Sequence, residues 1–139
     1  SRSLRYHHNL TLLMLDIDHF KQVNDRHGHL VGDQTLKAVA NMFLNLVREN
    51  DIVARFGGEE FVVLMPETYL EQARLAAERI RSMIEKAVIA THTGDLSVTI
   101  SIGVAEWKAQ GEMTVDKLID LADQALYRAK QAGRNRISF

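Results

Sequence analysis

Two adjacent carboxylates follow two adjacent glycines in residues 55–61 (RFGGEEF), within an otherwise apolar region. Residues 52–54 and 61–65 are rich in β-forming types, so the glycines are predicted to form the turn between two antiparallel strands. Glycine supplies φ > 0 and lets a polyanion approach the backbone closely. Because consecutive strand residues point to opposite faces, Glu59 and Glu60 are expected to have different roles. The segment predicts a hairpin for metal and phosphate, the alternative being an ordinary hairpin with exposed acids.

A second acidic site follows an apolar segment. Residues 10–15 predict a buried strand, which ends in Asp16 and Asp18. Under strand alternation both carboxylates would project to one side, with the carbonyl oxygen of Ile17 between them. Mg²⁺ prefers such oxygens and is usually held by one or two carboxylates plus substrate phosphates. Asp18 is also expected to cap the following helix, which leaves Asp16 as the residue that needs a functional explanation.

Several separated motifs, in this order, resemble the GGDEF family of diguanylate cyclases and cover nearly the whole chain. They are DIDHFK (16–21), ND (24–25), GH (28–29), GD (32–33), RFGGEEF (55–61), SIGVA (101–105), ADQALY (122–127), AK (129–130) and GRN (133–135). The signature here has Glu59 where the family name has Asp, a variant expected among active members. The resemblance implies an α/β (α+β) fold with a mostly antiparallel central sheet flanked by helices, as in nucleotidyl cyclase and polymerase palm domains.

The resemblance implies a specific reaction. Two GTP molecules would be condensed into cyclic di-GMP and pyrophosphate, each 3′-hydroxyl attacking the α-phosphate of the other nucleotide. Two Mg²⁺ (or Mn²⁺) ions per active site are implied, with Asp16, the Ile17 carbonyl and Glu59 as ligands. Glu59 also resembles the family's proposed proton acceptor, although a metal-bound carboxylate is a poorer base than a free one. Glu60 is expected to be an accessory catalytic residue, and Lys21 to face the phosphates.

The same resemblance assigns the GTP contacts. Guanine selection falls to Asn24 and Asp33, because a carboxylate accepts from guanine N1–H and N2–H₂ and an amide pairs with the remaining polar edge. His29 would lie nearby on the nucleotide. The remaining substrate contacts are predicted to be the backbone near Phe20 and the side chains of Lys130 and Arg134.

These assignments have structural alternatives. Asp33 could cap a helix and Asn24 could end one. Lys130 and Arg134, four residues apart and expected on one face, could form a solvated basic helix end. The His-Gly-His run at 27–29 is a weak zinc signal, because the chain has no cysteine to complete such a site.

A regulatory motif precedes the hairpin. Arg48 and Asp51 match the Arg-x-x-Asp inhibitory product site of the family, and Arg79 resembles its secondary arginine. Arginine can bind phosphate or stack on guanine, and aspartate can read the guanine edge. Without the family match the pair would be a surface ion pair worth about 0–1 kcal/mol. Its position favours inhibition by cyclic di-GMP.

Composition limits the class of protein. The chain has 139 residues, of which 46% are hydrophobic, which predicts one compact domain. A net charge of −1 argues against broad binding to nucleic acid or to an anionic membrane. No apolar segment approaches the roughly 20 residues that span a bilayer. The absence of cysteine fits a reducing compartment, and the resemblance implies a cytoplasmic location for this domain even if its parent protein is anchored in a membrane.

Residues 1–3 do not match the Asp-x-Leu-Thr-x-Leu-x-Asn-Arg segment with which full-length members usually begin. Residues 1–139 are therefore expected to be a single, N-terminally truncated GGDEF domain from a larger signalling protein. A sensory or regulatory domain would lie outside the chain, and catalysis would need a homodimer. Two rival classes are a non-catalytic receptor for GTP or cyclic di-GMP and a structural interaction module.

Hydrophobic periodicity predicts the elements that position these residues. The expected order is β-α-β-β-α-β-α-β. Helices are predicted at 20–24, 32–50, 70–89 and 115–131, strands at 98–104 and 136–139, and a strand end and loop at 105–113.

Overall fold

The computed structural model of the protein describes residues 3–4, 9–108 and 112–139. Residues 1–2 of the chain start and residues 109–111 of the predicted loop lie outside the described residues. The strands are β1 (Ser3–Leu4), β2 (Leu10–Ile17), β3 (Ile52–Arg55), β4 (Glu60–Pro66), β5 (Ile89–Thr91), β6 (Gly94–Leu96), β7 (Ile100–Trp107), β8 (Met113–Thr114) and β9 (Ile137–Ser138). The helices are α1 (Phe20–His27), α2 (His29–Leu44), α3 (Leu70–Lys86) and α4 (Val115–Gln131).

The central sheet has five strands in the order β3-β4-β2-β7-β9. Strand β2 pairs antiparallel with β4 and with β7, β3 pairs antiparallel with β4, and β9 pairs parallel with β7. All eight residues of β2 are buried, because helices cover both faces of the sheet and its apolar residues need not alternate with polar ones. The predicted α+β fold with a mostly antiparallel sheet is confirmed.

The two faces of β2 support separate hydrophobic clusters. Leu13 and Leu15 pack in the cluster that includes residues of α1, α2 and α3. Leu12 and Met14 pack in the cluster that includes residues of α4. Gly103 on β7 permits the close approach of α4, because a Cβ atom there would lie 2.2 Å from the carbonyl oxygen of Ala122. This contact fixes the position of the helix that carries the predicted phosphate-binding lysine.

Four helix boundaries differ from the prediction, and the first is the end of α1, which continues to His27 instead of ending at residue 24. The predicted helix 32–50 instead begins at His29 and ends at Leu44, and Gly28, with φ of 90°, separates it from α1. Glycine adopts this backbone without a Cβ clash, so the chain changes direction between the two helices. The helix predicted to reach residue 89 ends at Lys86, because Ile89 already belongs to a small hairpin of β5 and β6. Along the described parts of the chain, no helix combines the length and the apolar character needed to cross a membrane.

Candidate active site

A polar cavity of about 400 Å³ opens where β2 ends, beside the β3–β4 hairpin and the last turn of α4. It brings together most of the residues predicted for catalysis, metal binding and phosphate binding. Its lining includes Asp16, Ile17, Asp18, His19, Phe20, Lys21, Gln22, Asp25, Glu59, Lys130 and Arg134. Side chains that are distant in sequence therefore share one cleft.

Asp16 is a buried carboxylate in the lining of this cavity, and one of its two oxygens has no hydrogen-bond partner. The residue is 5% exposed. Its Oδ2 accepts a hydrogen bond from the Lys130 ammonium, with which it also forms an ion pair. Its Oδ1 is buried and has no hydrogen-bond partner. Burial raises the pKa of Asp16 to about 6, an effect that the Lys130 charge opposes and the nearby Glu59 and Glu60 charges reinforce. A buried carboxylate with one free oxygen is suited to receive a cation.

The hairpin turn is held by its own side chains and backbone. Phe56 N–H donates to the carbonyl oxygen of Glu60 at 2.8 Å, and the Arg55 guanidinium donates to the carbonyl oxygens of Gly57 and Gly58 at 3.2 and 2.5 Å. Strand register places Glu60 opposite Asp16. The predicted hairpin is thus present and faces the end of β2, but neither Gly57 nor Gly58 has the positive φ that was expected of its turn.

The two hairpin carboxylates differ in position, because Glu60 begins β4 whereas Glu59 lies in the turn before it. Glu59 lines the cavity, and its carbonyl oxygen accepts a 3.4 Å hydrogen bond from Ile17 N–H. Glu60 is half-buried, and burial raises its pKa, opposed by the Lys130 charge and reinforced by the Asp123 and Glu59 charges.

Asp18 does not cap α1, contrary to the expectation. The N-cap position belongs to His19, whose φ is 57° and which makes no capping hydrogen bond through its side chain. The Asp18 carboxylate is already occupied by three donors: the Thr99 hydroxyl at 2.7 Å, the Ser101 hydroxyl at 2.7 Å and the Asn135 backbone N–H at 2.9 Å. Asp18 therefore differs from Asp16, which keeps a free oxygen.

The last helix ends as its sequence predicts. Gly133, with φ of 125°, follows α4, and Arg134 N–H donates to the carbonyl oxygen of Ala129 at 3.0 Å. Lys130 lies in the final turn and Arg134 lies beyond the helix, so the two are not on one helical face as expected. Both nevertheless line the same cavity.

The predicted guanine-binding residues lie on the consecutive helices α1 and α2. Asn24 Oδ1 is buried without a hydrogen-bond partner, and it occupies the space that a side chain at Gly32 would fill, 1.9 Å from an ideal Cβ. Asp33 and His29 are exposed on α2. The unpaired amide oxygen of Asn24 and the exposed carboxylate of Asp33 are both acceptors that a ligand with several N–H donors could use.

The predicted inhibitory residues Arg48, Asp51 and Arg79 line a separate cavity of about 240 Å³. Arg48 N–H donates to Asp51 Oδ2 at 2.8 Å, and the Arg48 guanidinium lies 3.8 Å from Asp51 Oδ1. The same guanidinium donates to the hydroxyl of Thr68, which also lines the cavity and is 2% exposed. Sequence reasoning missed Thr68, because no local pattern relates it to Arg48.

Among the described residues, no group of three or more His, Cys, Asp or Glu side chains is arranged to hold a metal ion. The predicted magnesium ligands include a backbone carbonyl and only two side chains. A cation there would also depend on phosphate oxygens of the substrate, as is usual for Mg²⁺.

The mostly antiparallel sheet, its glycine hairpin and the acidic cavity at the end of β2 define a palm-like α+β domain. The family model described as "Diguanylate cyclase, GGDEF domain" matches residues 1–136. The chain belongs to this family, which confirms the resemblance seen in the sequence.

Individual relatives agree. The chain is 46% identical over 129 residues to the diguanylate cyclase DgcP of Pseudomonas aeruginosa, covering 93% of this chain and 19% of DgcP. The crystal structure of the DgcB GGDEF domain of Caulobacter crescentus with c-di-GMP has a TM-score of 0.87 and 34% identity, over 94% of this chain and 77% of that one. The active GGEEF domain of a Vibrio cholerae diguanylate cyclase has a TM-score of 0.86 and 32% identity, over 94% of this chain and 82% of that one. The chain spans only 19–37% of the length of the curated relatives that it matches.

Proposed function

We propose that this chain catalyses the condensation of two GTP molecules into cyclic di-GMP and pyrophosphate. The observation that carries the proposal is the shared cavity of Asp16, Glu59, Lys130 and Arg134 in a member of the GGDEF family. The active GGEEF domain from Vibrio cholerae supports the view that Glu in the third signature position is compatible with activity.

The oxygen atoms that could act as metal ligands here fit a hard cation. Asp16 has a buried oxygen without a partner, the Ile17 carbonyl follows it, and Glu59 lies on the same cavity wall. These oxygens would hold Mg²⁺ or Mn²⁺, and occupancy by two ions per active site stays a prediction. A bound divalent cation would polarise the α-phosphate and favour ionisation of the attacking 3′-hydroxyl.

The protein's own groups would do the rest of the chemistry. Lys130, Arg134 and Lys21 would bind the triphosphate and offset the negative charge that increases on the pyrophosphate as it leaves. Glu59 would accept the proton from the 3′-hydroxyl, and Glu60, which the strand register places opposite Asp16, would support the hairpin as an accessory residue. The backbone near Phe20 would approach the phosphates at the start of α1.

Base selection would be performed by Asn24 and Asp33, with His29 close to the nucleotide. The buried oxygen of Asn24 has no protein donor, so a guanine N–H would satisfy it. The cavity of Arg48, Asp51 and Arg79 would bind the product as an inhibitor, and the DgcB complex with c-di-GMP supports the presence of product sites on this fold.

Catalysis would require two GTP-loaded copies of the domain face to face, because each 3′-hydroxyl attacks the nucleotide of the other copy. A homodimer, driven by a sensory or regulatory domain elsewhere in a longer protein, is therefore part of the proposal. The isolated domain should be slow, with a rate that depends steeply on concentration.

The test is to incubate the purified chain at high concentration with GTP and Mg²⁺ and to follow cyclic di-GMP and pyrophosphate by chromatography. The Glu59→Gln variant should form no product, and Glu71→Gln, which changes an exposed residue paired with Arg74 on α3, should match the parent. Binding of GTP without product would favour the receptor class. Absence of Mg²⁺-dependent GTP binding would overturn the nucleotide proposal in favour of an interaction module.

A further inference from the structure

Asp18 has no role in the reaction described above, although it is buried and charged. It is 5% exposed, and three donors from distant parts of the chain converge on it. Thr99 and Ser101 supply hydroxyls, and Asn135 supplies its backbone N–H. Burial of a carboxylate is costly unless its partners are well placed, so this arrangement requires an explanation.

The Asn135 N–H belongs to an unusual turn. Arg134 and Asn135 both have left-handed backbones, with φ of 64° and 47°. Two consecutive non-glycine residues in this region are unfavourable, although asparagine tolerates it better than most residues. The turn therefore depends on contacts that hold it in place.

The Asn135 side chain provides a second attachment, to α3. Its Oδ1 accepts from Arg81 Nη1 at 2.8 Å, and its Nδ2 donates to Glu85 Oε2 at 2.6 Å. Asn135 is thus fixed from one side by α3 and from the other by Asp18. Arg134, which precedes it, lines the cavity together with Lys130 and Asp16.

We propose that Asp18 is a positioning residue for nucleotide binding: its carboxylate holds the left-handed turn at Arg134 and Asn135 and thereby directs the Arg134 side chain to the triphosphate. This inference rests on the proposed function, because it takes Arg134 to bind the triphosphate. Asp18 acts as a hydrogen-bond acceptor, and its negative charge is not what the nucleotide requires.

Two substitutions of Asp18 distinguish its role as a hydrogen-bond acceptor from any role of its negative charge. Asp18→Ala removes the acceptor for Asn135 N–H and should weaken binding about tenfold, the order expected when a contact is misplaced. Asp18→Asn keeps one acceptor oxygen for Asn135 and Thr99, while its NH₂ can donate to the Ser101 hydroxyl, which both donates and accepts. The affinity of the Asp18→Asn variant for the nucleotide should therefore stay within about threefold of that of the parent.

The measurement is the affinity of the chain for the α,β-methylene analogue of GTP with Mg²⁺, by calorimetry, because this analogue cannot release pyrophosphate. Asp18→Ala is compared in the parent and in an Arg134→Ala background. If Asp18 acts through Arg134, the tenfold loss should shrink to less than about twofold in that background. Ser101→Ala is the matched control, since it removes another donor to the same carboxylate, lowers stability and leaves the turn attached.

An independent pair of variants keeps the proposal testable if Asp18→Ala does not fold. Asn135→Ala should weaken binding of the analogue, and Asn135→Gly should weaken it less, because glycine adopts the left-handed backbone freely. Equal losses for Asp18→Ala and Asp18→Asn, or an undiminished loss in the Arg134→Ala background, would overturn the positioning role. If the parent itself does not bind the analogue, the proposed function fails instead, so the two failures are distinguishable.

Discussion

Lys130, in the last turn of α4, forms an ion pair with Asp16 at the end of β2, although 114 residues separate them in the chain. The pair exists because α4 packs directly on β7 over Gly103, where a side chain would collide with the helix backbone. The Lys130 charge favours the ionised form of Asp16, but burial outweighs it and raises the pKa to about 6, and the second carboxylate oxygen has no hydrogen-bond partner. The pair therefore joins the predicted metal site to the predicted phosphate site.

Lys130→Ala should reduce both activity and metal-free stability. The Asp16 side chain is 7% exposed, and it would lose its only cationic hydrogen-bond partner in the described structure. We expect the free energy of unfolding in EDTA to fall by about 1–3 kcal/mol, and cyclic di-GMP formation to fall by roughly 100-fold. Urea unfolding and product chromatography measure these effects. Lys117→Ala, an exposed lysine on the same helix, is the control and should change neither.

The stability of the metal-free chain should depend on the protonation of Asp16. Because the pKa is raised from 3.8 to about 6 in the folded state, the folded protein binds this proton more tightly than the unfolded chain does. The free energy of unfolding of the parent, relative to that of Asp16→Asn, should therefore increase as the pH falls from about 7.5 through 6 to 4.5. The expected increase is on the order of 2 kcal/mol.

Thermal or urea unfolding of both proteins in EDTA, across that pH range, tests this shift. Comparison with Asp16→Asn cancels the titration of other groups. Saturating Mg²⁺ should flatten the difference, because a cation at the free oxygen competes with the proton. A difference between the two proteins that does not change with pH would show that Asp16 is not perturbed in this way.

Gly32→Ala should weaken GTP binding through its neighbour Asn24. A Cβ atom at Gly32 would lie 1.9 Å from Asn24 Oδ1, so the amide must move. We expect about a tenfold loss of affinity for the α,β-methylene analogue, similar to that of Asn24→Ala, and no further loss in the double variant. Lys37→Ala, at an exposed position of the same helix, should bind like the parent. Additive losses would mean that Gly32 acts on GTP by another route.

Arg48→Ala should relieve product inhibition. The guanidinium lies in the cavity shared with Asp51 and Arg79, and it is anchored to the Thr68 hydroxyl. We expect the cyclic di-GMP concentration for half-inhibition to rise at least about tenfold, because a charge-assisted contact is lost. Thr68→Val, which removes the anchor, should give a smaller rise in the same direction.

The control for inhibition is Arg74→Ala on α3. Arg74 pairs with Glu71 at the surface and does not line the cavity with Arg48. The cyclic di-GMP concentration that half-inhibits Arg74→Ala should equal the concentration that half-inhibits the parent. If Arg48→Ala is inhibited as strongly as the parent, the cavity is not the product site.

The fold and the centre of the site could be predicted from the sequence, because they depend on local patterns. An unbroken apolar segment before Asp16 indicates a buried strand, and glycines followed by Glu59 and Glu60 indicate a hairpin turn; both depend on neighbouring residues in the chain. The order of motifs predicted the family, which the family match confirms. The roles of the individual site residues stay predictions.

Tertiary structure decided which distant groups meet. The sequence suggested that Asp18 caps a helix, whereas packing of β7 and the segment after α4 brings Thr99, Ser101 and Asn135 to its carboxylate. These partners lie 81 to 117 residues away, and no local periodicity encodes such a separation. Two carboxylates in one short motif thus have different environments, because the fate of a buried charge depends on the donors that folding brings to it.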